Sequence, residues 1–173
     1  MTRRRWKLLC ISTLAIFAPE NVSAQAPGPH EGAAYIRYTQ ISPGVRSAIC
    51  GNPYTVEIQR NGRVRYFGAR CVRELGEREL VIDADKASHW IDAMIGAGFF
   101  SQPGNTTYMT DFDEYLLEVF DGQKVHRVRT SMYGSKLPTE IRKAFQDLHK
   151  TINPVDRWAC IPGDWRQCSQ MNK

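Results

Sequence analysis

Apolar and polar positions alternate most regularly over residues 54–68. Tyr54, Val56 and Ile58 alternate with Thr55, Glu57 and Gln59, then Arg60-Asn61-Gly62 interrupts, and a second alternating run extends from Arg63 to Phe67. A period of two on both sides of an Asn-Gly step predicts a hairpin. A two-residue Asn61-Gly62 loop sets Ile58 opposite Arg65 and mixes the faces. A three-residue loop with Gly62 in the left-handed conformation pairs Ile58 with Val64, Val56 with Tyr66 and Glu57 with Arg65. The second register collects apolar side chains on one face and an ion pair on the other, so it is the one expected.

Around this hairpin the pattern supplies the rest of a domain. Residues 35–40 are rich in strand formers and meet the turn signal Ser42-Pro43-Gly44. From Ile82 the period changes: Ala87, Trp90, Ile91, Met94 and Ile95 recur at three and four residues, with Asp83 or Asp85 as cap and Gly96 and Gly98 as terminators. Phe99 and Phe100 are expected to plug the core, and 101–107 reads as a loop. A second hairpin is predicted from Tyr115 to Arg129 around Asp121-Gly122, its register open because Val125 and Val128 fall on opposite faces. Pro138 opens a second helix with Ile141, Phe145, Leu148 and Ile152 as its stripe, and Pro154 stops it. The prediction is an α+β domain: an antiparallel sheet of about five strands, in two hairpins plus an N-terminal strand, with two helices packed on one face.

The beginning of the chain changes how its charge is read. Arg3, Arg4, Arg5 and Lys7 precede an apolar run over 8–18, and Val22-Ser23-Ala24 follows, the pattern of an export signal cleaved after Ala24. The run is about half the ~20 residues that a membrane-spanning helix needs. The expected location is therefore periplasmic or secreted, with no transmembrane segment after signal removal. Removing 24 of 173 residues leaves 149, enough for one domain and short for two. The signal also takes four basic residues and Glu20 from totals of 23 and 18, leaving 19 against 17. The alkaline pI is thus largely a property of the signal, and nucleic acid is not an expected partner. The organisation expected is a signal over 1–24, a flexible Pro/Gly lead-in over 25–33, one domain over 34–158 and a disulfide-pinned tail over 159–173.

Cys10 leaves with the signal. The four cysteines that remain, Cys50, Cys71, Cys160 and Cys168, are an even number in an oxidising compartment, which favours disulfides over free thiols. Their spacings contain no C-x-x-C pair and no nearby histidine, so zinc is not expected. In the hairpin register above, Cys50 and Cys71 fall one position from direct opposition, which predicts Cys50–Cys71 and leaves Cys160–Cys168. The first bond would close a loop of about 20 residues and stabilise the domain by roughly 3 kcal/mol.

Cys50 and Pro53-Tyr54, the run from Asn61 to Tyr66, Gly68, Gly76, Ala97-Gly98-Phe99-Phe100, Thr110-Asp111, Gly122, Pro138 and Arg157-Trp158 occur in the order that marks one bacterial family. Over about residues 34–158 the chain resembles the exported family catalogued as domain of unknown function 6438. The family pattern is Cys-Pro-x-Tyr, whereas this chain has Cys50-Gly51-Asn52-Pro53-Tyr54. The resemblance implies a fold and a compartment and no activity.

Three groupings could carry chemistry. Asp111, Asp113 and Glu114 place three carboxylates in four residues before a strand, where they could bind an ion or serve as acid and base, although the spacing fails the calcium-loop pattern. A turn cap at Asp111 with solvated charges beside it is the preferred reading, because Asp is a favoured turn residue. His89 lies between Asp85 and Asp92 at helical spacing, on the polar face and without a nucleophile. Arg63, Arg65, Arg70, Arg73 and Arg78 are interrupted by Glu57, Glu74, Glu77 and Glu79, which reads as charge pairing. No nucleophile elbow, H-E-x-x-H, P-loop or dinucleotide fingerprint is present. The function expected is a non-catalytic envelope or secreted binding module without a cofactor or metal, whose partner is an envelope protein or cell-wall component met by the sheet face or the loops at 101–114. The alternative is a small hydrolase or metal-dependent enzyme using the acidic loop 111–114.

Overall fold

The structure is a computed structural model that describes residues 33–43, 54–69, 72–107, 113–133 and 135–159. The segment expected to be an export signal, the lead-in up to residue 32, Cys50, Cys71, Cys160 and Cys168, Asp111 and the tail beyond Ala159 lie outside the described residues.

Among the described residues, six strands form one antiparallel sheet: β1 (Tyr35–Pro43), β2 (Tyr54–Gln59), β3 (Arg63–Gly68), β4 (Gly76–Val81), β5 (Asp113–Phe120) and β6 (Val125–Ser131), in the order β4-β3-β2-β1-β5-β6. The β2–β3 hairpin has the face-sorting register, with Ile58 opposite Val64 and Val56 opposite Tyr66. Its turn works because Gly62 has φ +84°, a conformation that costs glycine little. The same turn docks β4, since Ile82 donates its N–H to the Gly62 carbonyl at 2.9 Å. A Cβ on Gly62 would sit 2.2 Å from the Ile82 carbonyl oxygen. Gly62→Ala is therefore expected to lower the unfolding free energy by roughly 2–4 kcal/mol. Gly96→Ala, whose Cβ would meet nothing within 4 Å, is the control. Urea midpoints that move equally for the two variants would contradict this account of the turn.

The second hairpin places Leu117 opposite Val128 on the core face and Phe120 opposite Val125 on the other, so each valine of β6 matches an apolar partner. The sheet has six strands where about five were expected. The added strand is β4, an edge strand whose side chains are exposed or half-buried along its whole length. With neither face buried, it has no hydrophobic alternation to read.

Helices α1 (Ala84–Gly96) and α2 (Thr139–Ile152) cover one face of the sheet. Asp83 caps α1 by accepting from the Asp85 N–H at 2.8 Å. Trp90, Ile91 and Met94 of α1 and Ile141, Phe145, Leu148 and Ile152 of α2 are buried against Ile36, Tyr38, Val56, Tyr66 and Leu117 of the strands. Trp90 keeps its indole N–H satisfied by donating to Asp147 at 2.8 Å. Helix α2 ends at Asn153, with φ +48°, and Pro154 begins a single turn, α3 (Pro154–Arg157). The described end of the chain then docks on β3, where Trp158 lies 4.8 Å from the Tyr66 ring and its carbonyl accepts from the Glu74 N–H at 2.9 Å. Among the described residues no helix is long and apolar enough to cross a membrane.

Candidate functional site

Asp113 and Glu114 of the acidic loop open β5, and as consecutive strand residues they project to opposite faces. Asp113 lies on the helix side, where burial raises its carboxyl pKa. Glu114 is buried on the other side and accepts a hydrogen bond from Arg129. The two carboxylates are thus not brought to one point, and Asp111 lies outside the described residues. In the Asp85, His89 and Asp92 group, the Asp92 carboxylate is engaged from outside the group. Arg60 grips Asp92 with bonds of 2.7 and 3.2 Å, which holds that carboxyl below the usual range. His89 is exposed beside a shallow groove of about 400 Å³ between α1 and α2, lined also by Trp90, Glu140 and Lys143. Among the described residues, no three His, Cys, Asp or Glu side chains cluster as metal ligands.

The basic stretch pairs as its composition suggested: Arg63 with Glu79, Arg65 with Glu77 and Arg78 with Glu74. These pairs turn out to be one end of a longer construction. On the face that the helices leave free, Glu79, Arg65, Glu57, Arg37, Glu118 and Arg127 stand opposite one another on β4, β3, β2, β1, β5 and β6. Charge alternates at every strand. In the middle, the Arg37 guanidinium bonds Glu57 at 2.5 and 3.1 Å and Glu118 at 3.2 Å. Gln59 donates to Glu57 at 3.1 Å, Tyr35 to Glu118 at 2.7 Å, and Arg127 also to Glu118. Burial, with the Glu118 hydrogen bond second, pushes the Tyr35 phenol above its ordinary pKa, so it remains a donor.

The rung changes character along its length. Arg37, Glu57 and Glu118 are 9%, 2% and 4% exposed, so the central charges are held by one another. Its ends, Glu79 and Arg127, are exposed. Beside them on the same face lie Glu77 and Arg63 at one edge and Arg129 at the other, with Val81 and Val125 exposed at opposite corners. The face therefore presents an acidic strand, β4, and a basic strand, β6, joined through a neutralised centre. Residue reading alone overlooked Arg37, Glu118 and Tyr35. Each stands at a polar position inside an apolar run, and only the strand order aligns them.

The described residues form an α+β fold with a helix-covered core face and a charged second face. Residues 51–152 match the family model described as Domain of unknown function (DUF6438), and the chain belongs to that family. No curated protein matches it. The matched span runs from the start of β2 through α2 and leaves out β1, the strand that carries Arg37.

Proposed function

We propose that this protein is an exported, non-catalytic binding module that engages an envelope protein or cell-wall component through the open sheet face. The observation that carries the reading is the charge rung. Its buried centre holds the strands in fixed register, and its ends offer exposed charges of opposite sign on rigid backbone. Such an arrangement suits a partner with complementary charges at a set separation, since electrostatic complementarity fixes orientation and excludes wrong partners. The divergence of Asp113 and Glu114 onto opposite faces supports binding over an acid–base pair at that loop. The signal over 1–24 supports the compartment.

The test is crosslinking capture with the full tagged chain exported to the periplasm, beside Arg127→Gln/Arg129→Gln. That variant removes two exposed cations, and because each also pairs with a buried carboxylate, Glu118 or Glu114, its melting temperature is measured beside the parent's so that lost capture is read only from folded protein. The expected result is a specific partner captured by the parent and lost at least about 10-fold from the variant, as charged contacts of 1.4 kcal/mol or more would give. Equal capture by the two would remove the open face from the proposal.

A further inference from the structure

On the charged face, the side chains of the two outermost strands form two exposed strips. β4 contributes Glu77, Glu79 and Val81, and β6 contributes Arg129, Arg127 and Val125. Followed across the sheet through the strand registers, Glu77 shares a row with Arg129, Glu79 with Arg127 and, by way of the Gln59 and Arg63 positions that flank the β2–β3 turn, Val81 with Val125. The strips are matched in order and opposite in charge. Six strands at a spacing of about 4.8 Å hold them about 24 Å apart on one sheet, so the strips can satisfy each other only between two molecules.

The rows between the strips obey the same rule. The rung alternates in sign over an even number of strands, so its first and last members, its second and fifth, and its third and fourth are each of opposite charge. In the row of Glu77 and Arg129, half-buried Phe67 and Leu116 take the second and fifth places, and Thr55 and Thr39 the third and fourth. The face is complementary to itself.

We propose that two copies of this chain pack these faces together about a two-fold axis running along the strands. The inference rests on the reading above in taking the charged face as the contact surface, and it names a second copy as the occupant that an envelope partner must displace. Rotation about that axis carries β4 of one copy over β6 of the other with the strands aligned, the usual arrangement of packed sheets. Val81 then meets Val125, Glu79 meets Arg127 and Glu77 meets Arg129, and each contact occurs twice. An axis across the strands would instead set β4 on β4 and β6 on β6, like charge on like, so charge specifies the orientation. The central Arg37, Glu57 and Glu118 are already paired and buried within each copy, so pairing desolvates little new charge. Six strands of about six residues, at about 4.8 Å spacing and 3.4 Å rise, span about 600 Å². Two such faces bury about 1,200 Å², the lower bound of specific interfaces, which makes the pair a weak and salt-sensitive one.

The test is sedimentation equilibrium of the chain purified after export, joined to crosslinking of two separate variants, Val81→Cys and Val125→Cys. Both valines are exposed, at 79% and 50%, so neither substitution disturbs the core. The expected mass at low salt is that of two chains, with an association constant that falls at least about 10-fold as salt shortens the reach of the ion pairs. A bismaleimide spanning about 10 Å, the separation of packed sheets, should link position 81 to position 125 in the mixture of variants, identified by mass spectrometry of the linked peptides. Neither variant alone should link the substituted position to its own copy. A single-chain mass at every concentration, a dimer without the 81 to 125 link, or links joining position 81 to itself would overturn the dimer. Partner capture by the same face would then stand or fall separately on the Arg127→Gln/Arg129→Gln comparison.

Discussion

Replacing Arg37 with methionine is expected to lower the unfolding free energy by about 3–5 kcal/mol, because removing one partner leaves buried carboxylates uncompensated. Arg37 is the cation between Glu57 and Glu118, whose side chains are 2% and 5% exposed. Methionine matches much of the arginine stem, so the loss reports charge more than volume. Arg63→Met supplies the contrast. It breaks an ion pair with Glu79 in which both side chains are more than 40% exposed, and exposed pairs contribute up to about 1 kcal/mol. Converting Arg37, Glu57 and Glu118 together to methionine should recover most of the loss, since apolar replacements remove the desolvation cost along with the attraction. Urea unfolding of the four proteins measures all of this. Equal destabilisation by Arg37→Met and Arg63→Met would mean that the rung is no more than a row of surface pairs.

Stability is also expected to fall as the pH drops from 6.5 to 4. Burial lowers the His149 pKa from 6.5 to about 4. Between those values the unfolded chain carries a proton at this residue that the folded chain refuses. The contribution is therefore fully present above pH 6.5, declines by up to about 1.4 kcal/mol per pH unit and is exhausted below pH 4, a total of at most about 3 kcal/mol. His149→Phe should flatten that part of the profile, because a ring of similar width can occupy the site among Tyr38, Tyr115 and Phe145. Unfolding curves at pH 7.0, 5.5 and 4.5 with and without the substitution isolate the histidine from carboxylates that titrate in the same range. A parallel decline in both proteins would assign the acid sensitivity to those carboxylates.

Local devices were legible in the sequence. The β2–β3 register followed from sorting faces, the helix stripes from periodicity, and the ends of α1 and α2 from Asp83, Gly98 and Pro154. What escaped depends on distant pairing. β1 lies at the centre of the sheet because it joins β2 on one side and β5 on the other, and nothing local in residues 35–43 announces the second partner. Arg37 and His149 consequently carry no local signal, since the groups around each come from three or more elements. β4 was hidden for the opposite reason: local charge dominated a strand without a buried face. The acidic loop shows the limit of proximity in sequence, because adjacent strand residues are delivered to different environments.

The composition of β4, an edge strand among the described residues, also governs what that edge can pair with. A second copy added antiparallel across a two-fold axis, with the helices kept on the same side, must oppose residues that share a face. Centring such a junction on Arg78 sets Arg78 against its own copy and Glu77 against Glu79. Centring it on Glu79 sets that glutamate against itself. Each strand-long alignment thus opens with like charges in contact, a penalty that grows as salt is withdrawn. The edge carries its own guard against runaway stacking, because its charges oppose the pairing that would make it a template for fibres.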